Sequence, residues 1–346
     1  MSNWQKHSLD EMMAMVQSVA SQKNIEDNAV EKDWWVTVVL KAIFNTTCGK
    51  SLLFKGGTSL SKGWHLINRF SEDIDLAINR DFFETQLNLP FAKCENNNQV
   101  KKLRKASRDF IHGTLSKELD IELSKLGIKG YLVENVTETG NPPKPVDHDS
   151  DPTVVYVNYG SIFPSSTRLI DPKVKIEISC LSMSEPYEER QIHSLIEEAF
   201  PEEDSETGTK IKTVTPSRTF LEKAFLLSEE LQKDEPRTMR MSRHLYDLDR
   251  LMDTDYAAQA LHDKELYKAV VEHRRRFYHL GYVNYDNDYP DKIDFTPKGV
   301  TLDDFRKDYE VNMIDGYIYG AAKPFPQLME RMEQLLQLFR NVNLSR

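Results

Sequence analysis

The sequence predicts an α+β fold, in which a mixed sheet with flanking helices is followed by a helical C-terminal domain. Two observations carry this prediction. Segments in which polar and apolar residues alternate, as in half-buried strands, concentrate before residue 214. After that point the apolar residues recur at helical spacing. Strands and helices that are segregated along a chain are typical of α+β proteins. We therefore expect one domain over residues 1–210 and a helical domain over residues 211–346.

The individual elements follow from local patterns. Ser8-Leu9-Asp10-Glu11 has the form of a capping box and opens a helix that runs to about residue 22. The other predicted helices cover about 29–45, 58–67, 98–127, a run that follows Thr215-Pro216 and ends at 232, 238–252, a further run to 275, 301–313 and 325–340. Strands are predicted at 52–54, 73–78, 131–136, 153–158 and 174–179.

Composition excludes several classes of protein. The 346-residue chain has a net charge of −10, which argues against broad electrostatic binding of nucleic acid and leaves room only for a local basic groove. Its three cysteines are isolated and give neither a disulfide framework nor a paired zinc motif. No apolar run is long enough to span a bilayer, and the N-terminal segment has no hydrophobic signal region. We expect a cytoplasmic protein.

A short acidic strand is the first candidate for chemistry. Asp73 and Asp75 are separated by one apolar residue, so on a strand both side chains point to the same face. Two adjacent carboxylates resist joint ionisation unless a cation neutralises them. Mg²⁺ is a hard cation that often shares one or two carboxylates with substrate phosphates. The pair therefore predicts a magnesium site.

A glycine pair precedes this strand. Gly56 and Gly57 end an apolar run and allow backbone N–H groups to approach a phosphate closely. Thr58 and Ser59 follow at the expected start of a helix. A Gly-Gly turn alone is common, and an Asp-Ile-Asp strand alone can be solvated. Together they indicate a phosphate cradle beside metal-binding carboxylates.

A later strand supplies a third carboxylate. Lys173, Lys175, Glu177 and Ser179 lie on one face of the strand predicted at 174–179. In isolation such a face is usually solvated. Beside the aspartate pair, Glu177 could hold a second metal ion or orient an attacking hydroxyl, and either lysine could contact phosphate.

These segments together resemble the AbiEii-type nucleotidyltransferases, a branch of the DNA polymerase β-like superfamily that includes many toxins of bacterial toxin–antitoxin systems. The resemblance lies in Lys55-Gly56-Gly57-Thr58-Ser59-Leu60-Ser61-Lys62, in Arg69-Phe70-Ser71-Glu72-Asp73-Ile74-Asp75-Leu76 and in Glu31-Lys32-Asp33-Trp34-Trp35-Val36. It implies a nucleotidyltransferase fold for the first domain. It further implies transfer of a nucleoside monophosphate from an NTP with Mg²⁺ or Mn²⁺.

The resemblance also assigns site residues. The catalytic residues would be Asp73, Asp75, Glu177, Lys223 and Asp247, the metal ligands Asp73, Asp75 and Glu177, and the nucleotide-binding residues Lys55, Gly56, Gly57, Thr58, Ser59 and Lys62. The assignment of Lys223 and Asp247 depends on the likeness of residues 218–223 and 243–248 to later motifs of the family. On their own, Lys223 could be a surface lysine and Asp247 a helical ion-pair partner of Arg243.

The acceptor stays open at this point. A role as a toxin of a toxin–antitoxin or phage-abortive system favours RNA as the acceptor, in particular the 3′ end of a tRNA. It also suggests a cognate antitoxin as a partner. Transfer to a protein or small-molecule hydroxyl, kinase-like phosphotransfer and a non-catalytic nucleotide-binding module are the alternatives. Lys62 precedes Gly63 with no Ser or Thr after the lysine, which excludes a P-loop. The basic segments 101–105 and 274–276, the latter followed by Phe277 and Tyr278, are either RNA-binding strips or solvated helix faces.

Overall fold

The computed structural model of the chain describes residues 3–163, 170–205 and 207–344. The chain forms two compact units. The first comprises Met1–Gly63 and Ser71–Thr213, and the second comprises Trp64–Phe70 and Val214–Arg346. The short segment that joins the glycine turn to the Asp73 strand therefore belongs to the second unit. The helix predicted over 58–67 ends at Gly63, and His65 follows with φ +53°, a left-handed conformation that does not continue a right-handed helix.

A seven-stranded mixed sheet organises the first unit. Its strands are β1 (Leu52–Lys55), β2 (Asp73–Ile78), β3 (Tyr131–Asn135), β6 (Thr153–Tyr159), β7 (Lys173–Ser179), β8 (Tyr187–Ile192) and β9 (Thr209–Val214), while β4 (Glu138–Thr139) and β5 (Lys144–Pro145) form a separate ribbon. The order in the sheet is β3-β6-β7-β2-β1-β9-β8. Strand β2 runs antiparallel to β1 and parallel to β7. The mixed sheet with flanking helices confirms the predicted fold class.

The two faces of the central strands differ in polarity. Alternate residues of β2 and β7 are fully buried, namely Ile74, Leu76, Ile78, Val174, Ile176 and Ile178. The residues between them are polar and half-buried at the start of β2 and along most of β7. This alternation follows from the twofold repeat of a strand. It fixes which side chains share the polar face.

The first unit also contains helices. They are α1 (Leu9–Lys23), α2 (Asp27–Phe44), the turn α3 (Gly56–Thr58), α4 (Arg80–Thr85), α5 (Asn97–Phe110), α6 (Ser116–Lys125) and α7 (Leu195–Ala199). Helix α2 packs against both β2 and β7. The predicted capping box at Ser8 and Glu11 is present at the start of α1. The helix predicted over 98–127 is continuous, but Ile111–Leu115 forms a π-helical turn between α5 and α6.

The second unit is helical. It contains α8 (Pro216–Glu230), α9 (Ser242–Leu251), α10 (Asp255–His262), α11 (Lys264–Phe277), α12 (Gly299–Lys307), which continues as a π-helix over Asp308–Tyr317, and α13 (Phe325–Arg340). Aromatic rings of Phe220, Phe225, Tyr267 and Phe295 surround Phe339 in its core. Beyond Val214 the described residues contain no strand, as predicted. No helix in the described ranges has the length and apolarity that crossing a membrane requires.

Candidate active site

A glycine is required where β1 turns toward the acidic strand. Gly56 has φ +79°, a left-handed conformation that residues with a side chain rarely adopt. A Cβ added at Gly56 would lie 2.1 Å from Oδ2 of Asp75. Backbone and carboxylate can therefore approach this closely only because residue 56 is glycine.

The hydroxyls after the glycines stabilise the turn. Thr58 is buried, its hydroxyl donates to the carbonyl of Asp73, and its Oγ1 lies 2.8 Å from Oγ of Ser71. The buried Ser59 hydroxyl donates to the carbonyl of Gly56 at 2.9 Å. Both side chains thus tie the turn to itself and to the start of β2. The predicted contacts of Thr58 and Ser59 with a nucleotide stay predictions.

The structure brings the predicted carboxylates onto one face. In the parallel pairing of β2 with β7, Asp75 lies opposite Glu177 and Asp73 lies opposite Lys175. Lys55 of β1 lies opposite Asp75 on its other side. All of these side chains are half-buried. Since neighbouring strands are about 4.8 Å apart, the acidic and basic side chains form one compact polar patch.

A lysine holds the third carboxylate. Nζ of Lys175 lies 2.7 Å from Oε1 of Glu177, and the two side chains keep 33% and 26% of their exposure. Burial acts to lower the pKa of Lys175, but the charges of Glu177 and Asp73 outweigh it and raise that pKa. Lys173, on the same face, pairs with Asp171 at 3.0 Å and lies over the Tyr156 ring.

The donor set suits a cation bound by two carboxylates. Among residues 3–163, 170–205 and 207–344, no group of three or more His, Cys, Asp and Glu side chains is arranged to hold a metal ion. Asp73 and Asp75 share a half-exposed face, and Asp75 contacts the space that a Cβ at Gly56 would fill. Magnesium commonly uses one or two protein carboxylates and completes its shell with water and substrate phosphates. The residues present fit that mode.

Two buried ion pairs connect α2 to both ends of the acidic segment. Nζ of Lys62, just after the glycine turn, lies 2.5 Å from Oδ1 of Asp33. Nζ of Lys32 lies 2.7 Å from Oε2 of Glu72, the residue before Asp73. All four side chains are at most 10% exposed. The ammonium of Lys62 lies in this internal pair, and its predicted contact with nucleotide stays a prediction.

The rest of the Glu31–Trp35 segment is also internal. Glu31 accepts hydrogen bonds from Oγ of Ser161 and from the backbone N–H of Ile162. The indole N–H of Trp34 donates to Asp204 at 3.0 Å. The motif that contributed to the family resemblance therefore holds the fold together. Charged residues within an otherwise apolar helical run were the sequence signal for this network.

Lys223 and Asp247 meet in the second unit. Nζ of Lys223 lies 2.7 Å from Oδ2 of Asp247. Arg69 also binds Asp247, with Nε and Nη2 each 2.7 Å from one carboxylate oxygen. All three side chains are buried. Arg69 lay within the resembling segment, but its role as a partner of Asp247 was not predicted.

The electrostatics of this cluster follow from its burial. Burial acts to raise the pKa of Asp247, but the charges of Arg69 and Lys223 lower it to about 2. Burial lowers the pKa of Lys223, and the nearby charge of Arg69 adds to that effect while Asp247 opposes it. The cluster holds two basic groups around a single ionised carboxylate.

The segment 274–276, predicted to be either an RNA-binding strip or a solvated helix face, is not exposed at all three arginines. Arg274 is buried and binds Glu229 through Nε and Nη2. Nη2 of Arg275 lies 2.8 Å from Oδ1 of Asp286. Helical periodicity alternates buried and exposed positions, so three consecutive arginines on one helix do not share a face.

Comparison with protein families decides the identity of the fold and its chemistry. The family model described as "Nucleotidyl transferase AbiEii toxin, Type IV TA system" matches residues 38–334. The chain belongs to this family. It is therefore a nucleotidyltransferase of the toxin type found in type IV toxin–antitoxin systems. The family implies an NTP substrate, an antitoxin partner and the use of a divalent metal ion.

A solved structure shares the fold. MenT4, a nucleotidyltransferase toxin from Mycobacterium tuberculosis H37Rv, is 16% identical with a TM-score of 0.51, and the match covers 95% of this chain and 90% of MenT4. The search of curated proteins gave no match.

Proposed function

We propose that this protein uses Mg²⁺ to transfer a nucleoside monophosphate from an NTP to the 3′ end of a tRNA, and thereby acts as a toxin. One observation carries the proposal. Asp73 and Asp75 share the polar face of β2, in register with β7 and against the Gly56 turn. This arrangement combines two carboxylates with a backbone that a phosphate can approach closely.

The residues of the first unit would divide the work. Asp73 and Asp75 would hold Mg²⁺ or Mn²⁺, which neutralises charge on the reacting phosphates when bound. The backbone at Gly56 and Gly57 would admit the triphosphate, and Lys55 would supply a positive charge beside it. A hydroxyl of the acceptor attacks the α-phosphorus, the bond to the bridging oxygen breaks, and pyrophosphate leaves. The hydroxyl proton passes to solvent or to a carboxylate of this face.

Two residues of the second unit are included in the proposal because of the family resemblance. Lys223 and Asp247 are proposed to be required for transfer, as the resemblance of their segments implies. Asp247 binds Lys223 and Arg69 simultaneously. A change at Asp247 would therefore release two buried cations, and its effect on activity must be separated from its effect on folding.

The test uses two labels on the nucleotide. The protein is incubated with Mg²⁺, total RNA and each NTP labelled at the α-phosphate, and a parallel series carries the label on the γ-phosphate. We expect the α-label to appear in tRNA and the γ-label to leave as pyrophosphate. Asp73→Asn should abolish transfer and keep the fold, whereas the exposed Asp255→Asn should retain activity.

Each alternative gives a different result. Label from the γ-position alone on a product would show phosphotransfer of the kinase type. An α-label on protein or on a small molecule would retain the nucleotidyltransferase and replace the RNA acceptor. Nucleotide binding without any labelled product, under conditions in which Mg²⁺ is saturating, would favour a binding module. Full activity of Asp73→Asn would overturn the assigned site.

A further inference from the structure

The polar face of the sheet carries a lysine among its carboxylates. Asp73 and Asp75 occupy β2, and Lys175 and Glu177 occupy the paired positions of β7. A cation-binding site built from three carboxylates would need Glu177 to turn toward the aspartates. In the structure Glu177 instead binds Nζ of Lys175 at 2.7 Å.

The position of Lys175 is fixed by several neighbours. Its strand partner on one side is Asp73 and on the other is Tyr156. About a third of the side chain remains exposed, so the ammonium lies within the patch and not at the end of an extended chain in solvent. Lys173, two residues earlier on the same face, differs because it pairs with Asp171 outside the strand. The two lysines thus have separate partners.

Charge balance on this face supports one metal ion. Three carboxylates, Asp73, Asp75 and Glu177, lie beside two ammonium groups, Lys55 and Lys175. Lys175 already neutralises one of the carboxylates through a direct ion pair. The absence, among the described residues, of any three-carboxylate group arranged for a metal agrees with this. With Glu177 held by Lys175, the ligands of the divalent ion in the proposed function are Asp73 and Asp75.

We propose that Lys175 takes the place of a second metal ion in this site, holding Glu177 by its ammonium, so that the enzyme works with one divalent ion bound by Asp73 and Asp75. This inference rests on the proposed metal-dependent transfer. It assigns Glu177 a positioning role: the carboxylate anchors Lys175 and is not a metal ligand. Lys175 would then supply the positive charge beside the triphosphate that a second ion supplies in two-metal sites.

The experiment counts Mn²⁺ ions. Binding of Mn²⁺ to the full chain is followed by electron paramagnetic resonance of the free ion, with a non-hydrolysable NTP analogue present. We expect one ion per chain in the wild type. Lys175→Met should bind Mn²⁺ about tenfold more tightly or take up a second ion, because a positive charge ~5 Å from a divalent ion opposes its binding to about that extent even in water.

Matched variants separate the role of Lys175 from general charge. Lys173→Met removes a lysine from the same strand face and should leave the count and the affinity within about threefold of wild type. In Lys175→Met with Glu177→Gln, the gain seen in Lys175→Met should disappear, because removing both partners of the ion pair leaves the net charge of this face as it is in the wild type. Circular dichroism and thermal melting establish that each variant is folded.

Two ions in the wild type would overturn the inference, and so would unchanged Mn²⁺ binding in folded Lys175→Met. If Lys175→Met does not fold, the number of Mn²⁺ ions bound by the wild type still tests the inference. The proposed function is tested separately by Asp73→Asn. If that variant binds Mn²⁺ as well as wild type does, the metal site itself is wrong. If it loses binding while the wild type holds two ions, only the role of Lys175 fails.

Discussion

Gly56 shows how a single residue couples a turn to the acidic strand. Gly56→Ala would add both the strain of a left-handed backbone, about 1–3 kcal/mol, and a contact of 2.1 Å with Oδ2 of Asp75. We expect a loss of transfer activity of at least about a hundredfold, since misplacement of a reacting group by ~1 Å can have that effect. Initial rates with saturating and limiting NTP measure it.

Gly127→Ala is the matched control. Gly127 also has a positive φ, +75°, but an added Cβ there would meet nothing within 4 Å. This variant should lose only the about 1–3 kcal/mol of backbone strain in urea unfolding and keep its activity. Equal activity losses in the two variants would mean that strain, and not contact with Asp75, explains the effect at Gly56.

Asp288 is a second residue whose surroundings make a measurable prediction. It is fully buried, and burial together with the charge of Glu229 raises its pKa to about 8. In the unfolded chain the pKa is near the ordinary value of 3.8. The folded state therefore holds a proton that the unfolded state loses as pH rises above about 4. Unfolding free energy falls with pH between these two values and levels off above pH 8.

Asp288→Asn replaces the carboxyl group with an amide that does not titrate, so this contribution to the pH dependence of stability is lost. We expect the stability of the variant relative to wild type to rise between pH 5 and pH 8, by up to about 1.4 kcal/mol per pH unit. Urea unfolding at pH 5, 6.5 and 8 measures it. The exposed Asp291→Asn is the control and should show no such trend. A pH-independent difference for Asp288→Asn would contradict the shifted pKa.

At the residue scale, sequence reasoning located the candidate carboxylates but not the partners of the charged side chains. Asp73 and Asp75 were placed together because a strand repeats every two residues, which is a local rule. Lys62 pairs with Asp33, and Arg69 pairs with Asp247. The partners in both pairs are far apart in the sequence, and the second pair is separated by more residues than the first. Such pairs depend on tertiary packing, which no local period encodes.

Helix α2 shows how one element can position a site built on others. Its Lys32 and Asp33 form buried ion pairs with Glu72 and Lys62, which flank the segment between the glycine turn and β2. Breaking a buried pair by removing one partner leaves an uncompensated charge and typically costs about 3–5 kcal/mol. The helix therefore acts as a clamp on both ends of this segment, and the cost should be visible in stability.

We expect Lys62→Met to destabilise the protein by about 3–5 kcal/mol, because the buried Asp33 would lose the ammonium that lies 2.5 Å from its Oδ1. The hydrogen bond that its Oδ2 accepts from the N–H of Leu195, at 2.7 Å, would remain but carries no neutralising charge. Lys23→Met removes an exposed lysine whose partner Glu198 is 3.6 Å away, and should cost less than about 1 kcal/mol. Urea unfolding of both variants measures the difference. Similar losses would show that the Lys62 pair is no stronger than a surface pair.

Elements with a clear period were predicted well, and those without one were not. The strands at 131–136, 153–158 and 174–179 alternate polar and apolar residues and are present within a residue or two. Strand β8, Tyr187–Ile192, is mostly polar and exposed, so it lacks an apolar face to recognise. Strand β9, Thr209–Val214, has only two apolar residues, Ile211 and Val214, and they are three positions apart, so it lacks the twofold repeat of a half-buried strand. The π-helical turn at Ile111–Leu115 leaves no mark in the hydrophobic pattern.

At the scale of the whole molecule, charge limits how an RNA acceptor can bind. The chain carries a net charge of −10, and the arginines at 274 and 275 are occupied by Glu229 and Asp286. Each phosphate that a protein contacts releases counterions from the RNA, so the dissociation constant rises by roughly one power of the salt concentration for each such contact. A protein without a broad basic surface can contact few phosphates. Its RNA affinity should therefore depend only weakly on salt.

We expect the slope of log Kd for the acceptor RNA against log salt concentration to have a magnitude of about 3 or less. Fluorescence anisotropy from 50 to 300 mM KCl at fixed free Mg²⁺ measures it. Arg274→Gln should leave the slope unchanged and destabilise the fold, since the ion pair with Glu229 is buried. A slope of about 6 or more would mean that an extended basic surface binds the RNA in spite of the net charge. A reduced slope in folded Arg274→Gln would show that Arg274 contributes to RNA binding.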